Sequence, residues 1–305
     1  MNLAFDLLVG LSLVWVAWRI VGSRDHFQAV VLFITFGLIL SLAWTRLKSP
    51  DIAIAEAAVG AGLAGVLFMD ALGGLSSSPG SPRPAVPLTL LFPCLILASI
   101  MAIAVLFVPE DFLGLIPVVH GALTDTSLEY PVTAVLLDFR AYDTWLELGV
   151  LLVAVLGVMG IRRIGSISGS RLPAPADPVG RWIIRILLPI MVLIGGYLLW
   201  LGAFAPGGAF QGGVVLAAAG VMLWQAGHPS LGLLPRLWWI VLLFCGFLSF
   251  LILAFWSLFH SGRMLAHPEN KLWILGVEYA ATISIATCLI SLVLASPGRC
   301  RVRDN

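Results

Sequence analysis

Charge is scarce in this sequence. Charged residues make up 11% of its 305 positions, against about a quarter in an ordinary soluble chain, and so few cannot clothe a surface for water. Neither sign dominates, the formal net charge being +1, which excludes an electrostatic grip on nucleic acid or on a strongly charged surface. Lysine is rarer still. Lys48 and Lys271 both fall between apolar blocks, so the chain has no mid-membrane lysine of the kind a proton-pumping relay uses. Cys94, Cys245, Cys288 and Cys300 show no CxxC or Cys/His spacing, and three of them sit inside apolar blocks where cysteine behaves as a small hydrophobe. His26, His120, His228, His260 and His267 stand at helix ends or in loops, without ligand spacing. No nucleotide-binding motif and no cofactor-ligand set is present. The expectation is a protein with no metal, no cofactor and no enzymatic activity of its own, and without the parts of a complete pump.

Apolar length is what the chain has in plenty. Hydrophobic residues make up 60% of it and the mean hydropathy is +1.04. They fall in blocks near the roughly 20 residues that cross a bilayer. The first block follows Met1, Asn2 and Leu3 with no basic n-region and no cleavage site, so it reads as a helix and not as a secretory signal. Helices are expected at about 3 to 20, 27 to 45, 52 to 69, 87 to 108, 143 to 160, 183 to 203, 210 to 226, 236 to 259 and 272 to 296. A short interfacial helix is expected around Thr133 to Phe139, in the long connection from Pro109 to Tyr142. The fold class is therefore an all-α integral membrane protein of about nine transmembrane helices. Gly73 to Pro87 and Ser166 to Gly180, rich in Gly, Ser and Pro, divide it into domains of three, two and four helices over 1–75, 85–165 and 180–300.

Basic residues near helix ends favour the cytoplasmic side. With the N-terminus outside, that side holds Arg19, Arg24, Arg83, Arg162, Arg163, Arg171, Arg181, Arg185, Arg236, Arg299, Arg301 and Arg303. The outside keeps Arg46, Lys48, Arg140, Arg263 and Lys271. The expected orientation is N-terminus outside and C-terminus cytoplasmic, with Arg46 and Lys48 as the main dissent.

An ionisable side chain inside hydrocarbon costs a few kcal/mol, about 2.5 to 3.5 on insertion scales, so each is a functional candidate. Glu56 lies one turn into the third helix, in PDIAIAEAAVGAG, among small residues that permit close helix packing. It either exchanges protons or meets a cation there, or it reaches headgroups and water near the interface. The richest stretch is PVTAVLLDFRAYDTWLE, which sets Asp138, Arg140, Asp143 and Glu147 at the mouth of the fifth helix. Asp143 and Glu147 are one turn apart on one face, where their repulsion favours a shared proton or a cation. Arg140 can offset Asp138 or Asp143. The plainer alternative is a helix start whose acids favour the positive end of its dipole. LGAFAPGGAFQGG links the sixth and seventh helices, and its Pro206, Gly207, Gly208, Gly212 and Gly213 either make a tight packing turn or expose backbone groups to an ion. Glu278, in the ninth helix, either joins a polar path or pairs with Lys271.

These motifs resemble a known family. PDIAIAEAAVGAG resembles the small hydrophobic domain near the C-terminal end of the large, first subunit of Mrp-type sodium/proton antiporters, a domain that stands alone in membrane-bound hydrogenases. PVTAVLLDFRAYDTWLE is similar to the next domain of that region, and LGAFAPGGAFQGGVVLAAA is similar to the second antiporter subunit. The order is the family's own. Departures are Ala55 for a threonine, Pro131 and Ala134 for asparagines, Ala209 for a third glycine, and Ala203 and Phe204 where a histidine is usual.

The resemblance implies a fusion of the C-terminal domains of the large subunit with the second subunit, multi-pass in the cell membrane. It implies other antiporter subunits as partners, with sodium ions and protons as the transported species. It places Glu56, Asp138, Arg140, Asp143 and Glu147 on an ion pathway, with the Pro206 to Gly213 turn shaping the portion that resembles the second subunit. The other class it leaves open is an architectural membrane component of a hydrogenase or another complex-I-like redox assembly.

Overall fold

The computed structural model describes residues 3–74, 88–109, 114–126, 128–164, 178–226, 234–262, 264–265 and 271–295. All regular structure among the described residues is helical. Most of both connections taken as domain joints lie outside them. So do Arg83, Arg171, Arg263, Arg299, Arg301, Arg303, His228, His267 and Cys300.

The chain opens with α1 (Leu3–Gly22) and α2 (His26–Arg46) as a hairpin. Asp25 caps α2, its Oδ1 accepting from the Phe27 amide at 2.9 Å, which satisfies one of the donors that a helix start leaves open. Across the other end Arg46 grips Asp6 with two hydrogen bonds, at 2.7 and 3.1 Å.

The next helix starts at Pro50, a residue suited to a first turn because its missing N–H would have no partner there. It runs as α3 (Pro50–Ala55), a π-helical stretch Glu56–Leu63, and α4 (Ala64–Gly74). Small residues bring it close to α2. A Cβ on Gly37 would lie 3.1 Å from that of Ala61, and the Ser41 hydroxyl donates to the Ala53 carbonyl at 2.7 Å. Such packing is how helices associate where lipid removes the hydrophobic drive between them.

Four helices form the second body: α9 (Pro178–Leu201), α10 (Ala209–Gln225), α11 (Arg236–Ser261) and α12 (Lys271–Leu294). The last is the hub, with 72% of its span buried, where no other candidate span exceeds 28%. Glycines on its neighbours make this possible. A Cβ on Gly246 of α11 would come within 2.7 Å of Ser284 Cβ, and one on Gly213 of α10 within 2.9 Å of Ile285 Cγ2. Around these contacts Phe250, Leu253, Ala281, Ile285 and Val293 are almost wholly buried.

Between the two bodies lie α5 (Leu88–Leu106), α6 (Ile116–Ala122), α7 (Pro131–Ala134), a second π-helical stretch Val135–Phe139, and α8 (Ala141–Ile164). The helical turns of 131–139 fall where the interfacial helix is expected, whereas α6 is an addition. α8 packs on α11 and α12, with Trp145 and Phe247 tilted at 5.4 Å. Side chains 92–109, by contrast, are exposed throughout.

Seven helices among the described residues are long and apolar enough to span a bilayer. The described part of α5, Phe92–Leu106, and the 17-residue α10 are shorter. α10 is short because the chain ahead of it, from Gly202 to Gly208, is spent on a turn.

Candidate ion site

That turn is built by backbone bonds that need glycine. The amides of Gly202 and Gly208 both donate to the Leu198 carbonyl, at 3.2 and 2.8 Å. Gly208 adopts φ +112°, a region closed to most side chains. A Cβ on Gly207 would stand 2.5 Å from the Leu198 oxygen. With its amides committed, the turn offers no nest for an anion.

Two other parts of the chain hold this turn in place. Asp51, at the first turn of α3, accepts from the Gly207 amide at 3.1 Å through Oδ1 and from the Tyr130 hydroxyl at 2.5 Å through Oδ2. Thr133, buried in α7, donates its hydroxyl to the Gly202 carbonyl at 2.5 Å. The phenol of Tyr130 is pushed above its ordinary range, first by burial and then by the hydrogen bond and negative charge of Asp51. One carboxylate thus ties the first, middle and last segments together.

Beside this junction opens a cavity of about 80 Å³, and about 10–15 Å³ of such space holds a water. Its polar lining is Thr133, Thr144, Glu147, Gln211, Glu278 and the Gly207–Gly208 backbone. The remaining walls are apolar, among them Leu148, Phe210 and Ile285. Glu147 is exposed at the cavity, whereas Glu278 is 3% exposed and reaches it from the buried hub helix. Two carboxylates therefore share a space with no basic residue in its lining.

The expected site residues divide. Glu147 lines the cavity and its neighbour Asp143 does not. Asp143 instead pairs with Arg140 at 2.8 Å on an exposed surface, which decides between the two carboxylates open to that arginine. Asp138 is half-buried in the second π-helical stretch. Glu56 opens the first and is also half-buried, with its carboxylate folded over Gly60 so that a Cβ there would collide with Oε1. It does not line the cavity with Glu147. Stretches of this geometry inside α-helices recur at functional positions. Of the turn residues, Gly207 and Gly208 line the cavity, while Gly212 and Gly213 carry the close packing of α10 on α9 and α12. Among the described residues no group of three or more His, Cys, Asp or Glu is placed to hold a metal.

Asp51, Tyr130, Thr133, Thr144 and Gln211 are site residues that sequence reasoning missed. All but Tyr130 lie within the three quoted motifs, and the signal that could have found them is a polar residue inside an apolar motif.

Residues 11–77 match the family model MbhD, a component of the assembly abbreviated MBH. Residues 179–296 match MnhB, described as a domain related to the MnhB subunit of Na+/H+ antiporter. No curated protein matches the chain. Among solved structures, a chain of the Mrp complex from Dietzia sp. shares the fold at a TM-score of 0.77 and 21% sequence identity, over 98% of this chain. The match covers 35% of that solved chain, so this protein spans about a third of its length.

Fold and apolar spans together define a multi-pass helical protein of the cell membrane. An MbhD segment followed by an MnhB-related segment gives the chain the make-up of an Mrp-type subunit, related to hydrogenase subunits.

Proposed function

We propose that this chain is a membrane subunit of a multisubunit monovalent cation (sodium)/proton antiporter, contributing an ion half-channel and assembly contacts. The observation that carries the reading is the cavity in which Glu147 faces the glycine turn of the MnhB-related segment. Its walls come from both sides of the joint between the middle and last segments, so it depends on their being held together. Sodium and protons are the transported species in this reading, and other antiporter subunits the partners. The exposed apolar side chains of 92–109 offer one surface for them.

The reading takes the domains as 1–75, 85–165 and 180–300 and counts nine crossings, with α5 and α10 as short ones. It sets the N-terminus outside and the C-terminus in the cytoplasm. Arg46, one of the two dissenting charges, supports that orientation better than its sign suggests, because Asp6 neutralises it. Glu56, Asp138, Arg140, Asp143 and Glu147 are assigned to the ion route, with Pro206, Gly207, Gly208, Gly212 and Gly213 as its shaping turn. The chain acts as a transporter subunit and not as an enzyme.

Everted vesicles carrying the whole complex test this. Glu147→Gln and Glu56→Gln, at matched assembly, are expected to cut sodium/proton exchange at least tenfold. Unchanged exchange in both would make these acids packing groups. It would favour the second reading, an architectural membrane component of a redox-driven complex, which the MbhD match supports.

A further inference from the structure

Glu278 has no role in the half-channel as drawn above, yet its position is the costliest in the molecule. It belongs to α12, the helix enclosed by α8, α10 and α11, and is 3% exposed. Its backbone carbonyl accepts from the Thr282 hydroxyl at 2.7 Å. Its carboxylate has no hydrogen-bond or ion-pair partner among the described residues, and it borders the cavity. A buried charge left without a partner costs several kcal/mol, so the cavity contents must compensate it.

We propose that the cavity is a binding site for a single monovalent cation, held by the Glu278 carboxylate with Gln211, Thr133 and Thr144, and entered past Glu147. One buried negative charge calls for one positive charge, and Glu147 at the exposed side attracts cations without itself needing burial. The neutral donors are arranged for this task. Thr133 and Thr144 each commit their hydroxyl proton to a carbonyl, of Gly202 at 2.5 Å and of Leu136 at 2.7 Å. Their oxygen lone pairs are what remains for a ligand, and lone pairs bind cations. Gln211 adds an amide oxygen. The turn amides that would favour an anion are already used. Space for a few waters beside the ion lets it keep part of its hydration shell.

This deepens the antiporter reading and rests on it only for the identity of the ion, so binding and transport are measured separately. The protein is isolated from its own membrane with the subunits that accompany it and placed in lipid nanodiscs, and isotopic sodium binding is titrated. Glu278→Gln is expected to weaken sodium binding at this site at least tenfold, and Glu278→Asp to recover part of the loss. Because a buried substitution can disturb folding, the native protein provides a second measurement. Sodium, and not choline, is expected to protect Glu278 from a hydrophobic carbodiimide, as read by peptide mapping. Sodium titrations of Glu278→Gln that match the native protein overturn the site, as does carbodiimide labelling of Glu278 that ignores sodium. Exchange that persists after sodium binding is lost leaves the site standing and overturns the half-channel. Exchange abolished in Glu278→Gln with sodium binding intact assigns Glu278 to protons and overturns the cation site.

Discussion

Asp51 holds three segments at one point, and removing it should loosen all three. Asp51→Ala deletes the acceptor for the Gly207 amide at 3.1 Å and for the Tyr130 hydroxyl at 2.5 Å. Hydrogen bonds to charged groups contribute about 1.5–3 kcal/mol each, and a stranded buried donor costs a similar amount. Both bonds are only part-buried, so the expected loss for the pair is about 2–4 kcal/mol, near the low end of that range. Tyr130→Phe removes one bond and leaves Gly207 satisfied, for about 1–2 kcal/mol. Once Asp51 is gone the phenol has nothing left to lose there, so the double variant should be scarcely worse than Asp51→Ala. The coupling energy is then about 1–2 kcal/mol. The cycle also cancels any contribution of Asp51 to the α3 helix dipole, which both arms share. Equilibrium unfolding of the full chain in detergent, followed by tryptophan fluorescence, gives the four free energies. Strict additivity, with coupling below about 0.3–0.5 kcal/mol, would refute the junction.

Two further outcomes follow from the same geometry. Gly246→Ala drives a methyl to within 2.7 Å of Ser284 Cβ and 3.0 Å of the Ala281 backbone; the expected cost is about 1–3 kcal/mol in the same unfolding assay. Gly276→Ala, which meets nothing within 4 Å, should stay within about 0.5 kcal/mol of the native chain, and equal effects at the two glycines would undo the account of α12 packing. The raised phenol of Tyr130 makes a contribution that is complete below the ordinary tyrosine value of about 10. It is lost as pH climbs from there through the folded-state value, because the unfolded chain ionises first. Relative to Tyr130→Phe, the native chain should therefore lose thermal stability only above about pH 10; a gap that does not change with alkaline pH would contradict the assignment.

The helices were readable because their physics is local. Blocks of apolar length bounded by Pro, Gly and charge need no tertiary partner to be recognised, and each of the nine expected stretches is helical in the structure. α6 escaped notice because seven residues beginning at Ile116 and Pro117 are too short to leave a periodic signal. Both π-helical stretches escaped for a different reason: an extra residue in a helical turn depends on packing and leaves no compositional trace. The site was half visible. Glu147 stood out as an acid inside an apolar block, and it does line the cavity. Asp51 looked like an acid favouring a helix start, since its partners are 79 and 156 residues away. Glu278 could not be placed because α12 is enclosed on nearly every side, and such a helix carries no polar stripe to show which way a residue points.

The shortness of α10 has an electrical consequence. Seventeen residues rise about 26 Å, about 4 Å less than a typical hydrocarbon core. A transmembrane voltage drops across the insulating layer, so a locally thinner layer steepens the field along that line. An ion beside the start of α10 would then cross a large share of the voltage over a short path, out of about 2.3 kcal/mol per charge per 100 mV in all. The glycine turn that cuts α10 short thereby works as an electrode placed inside the membrane, next to two carboxylates.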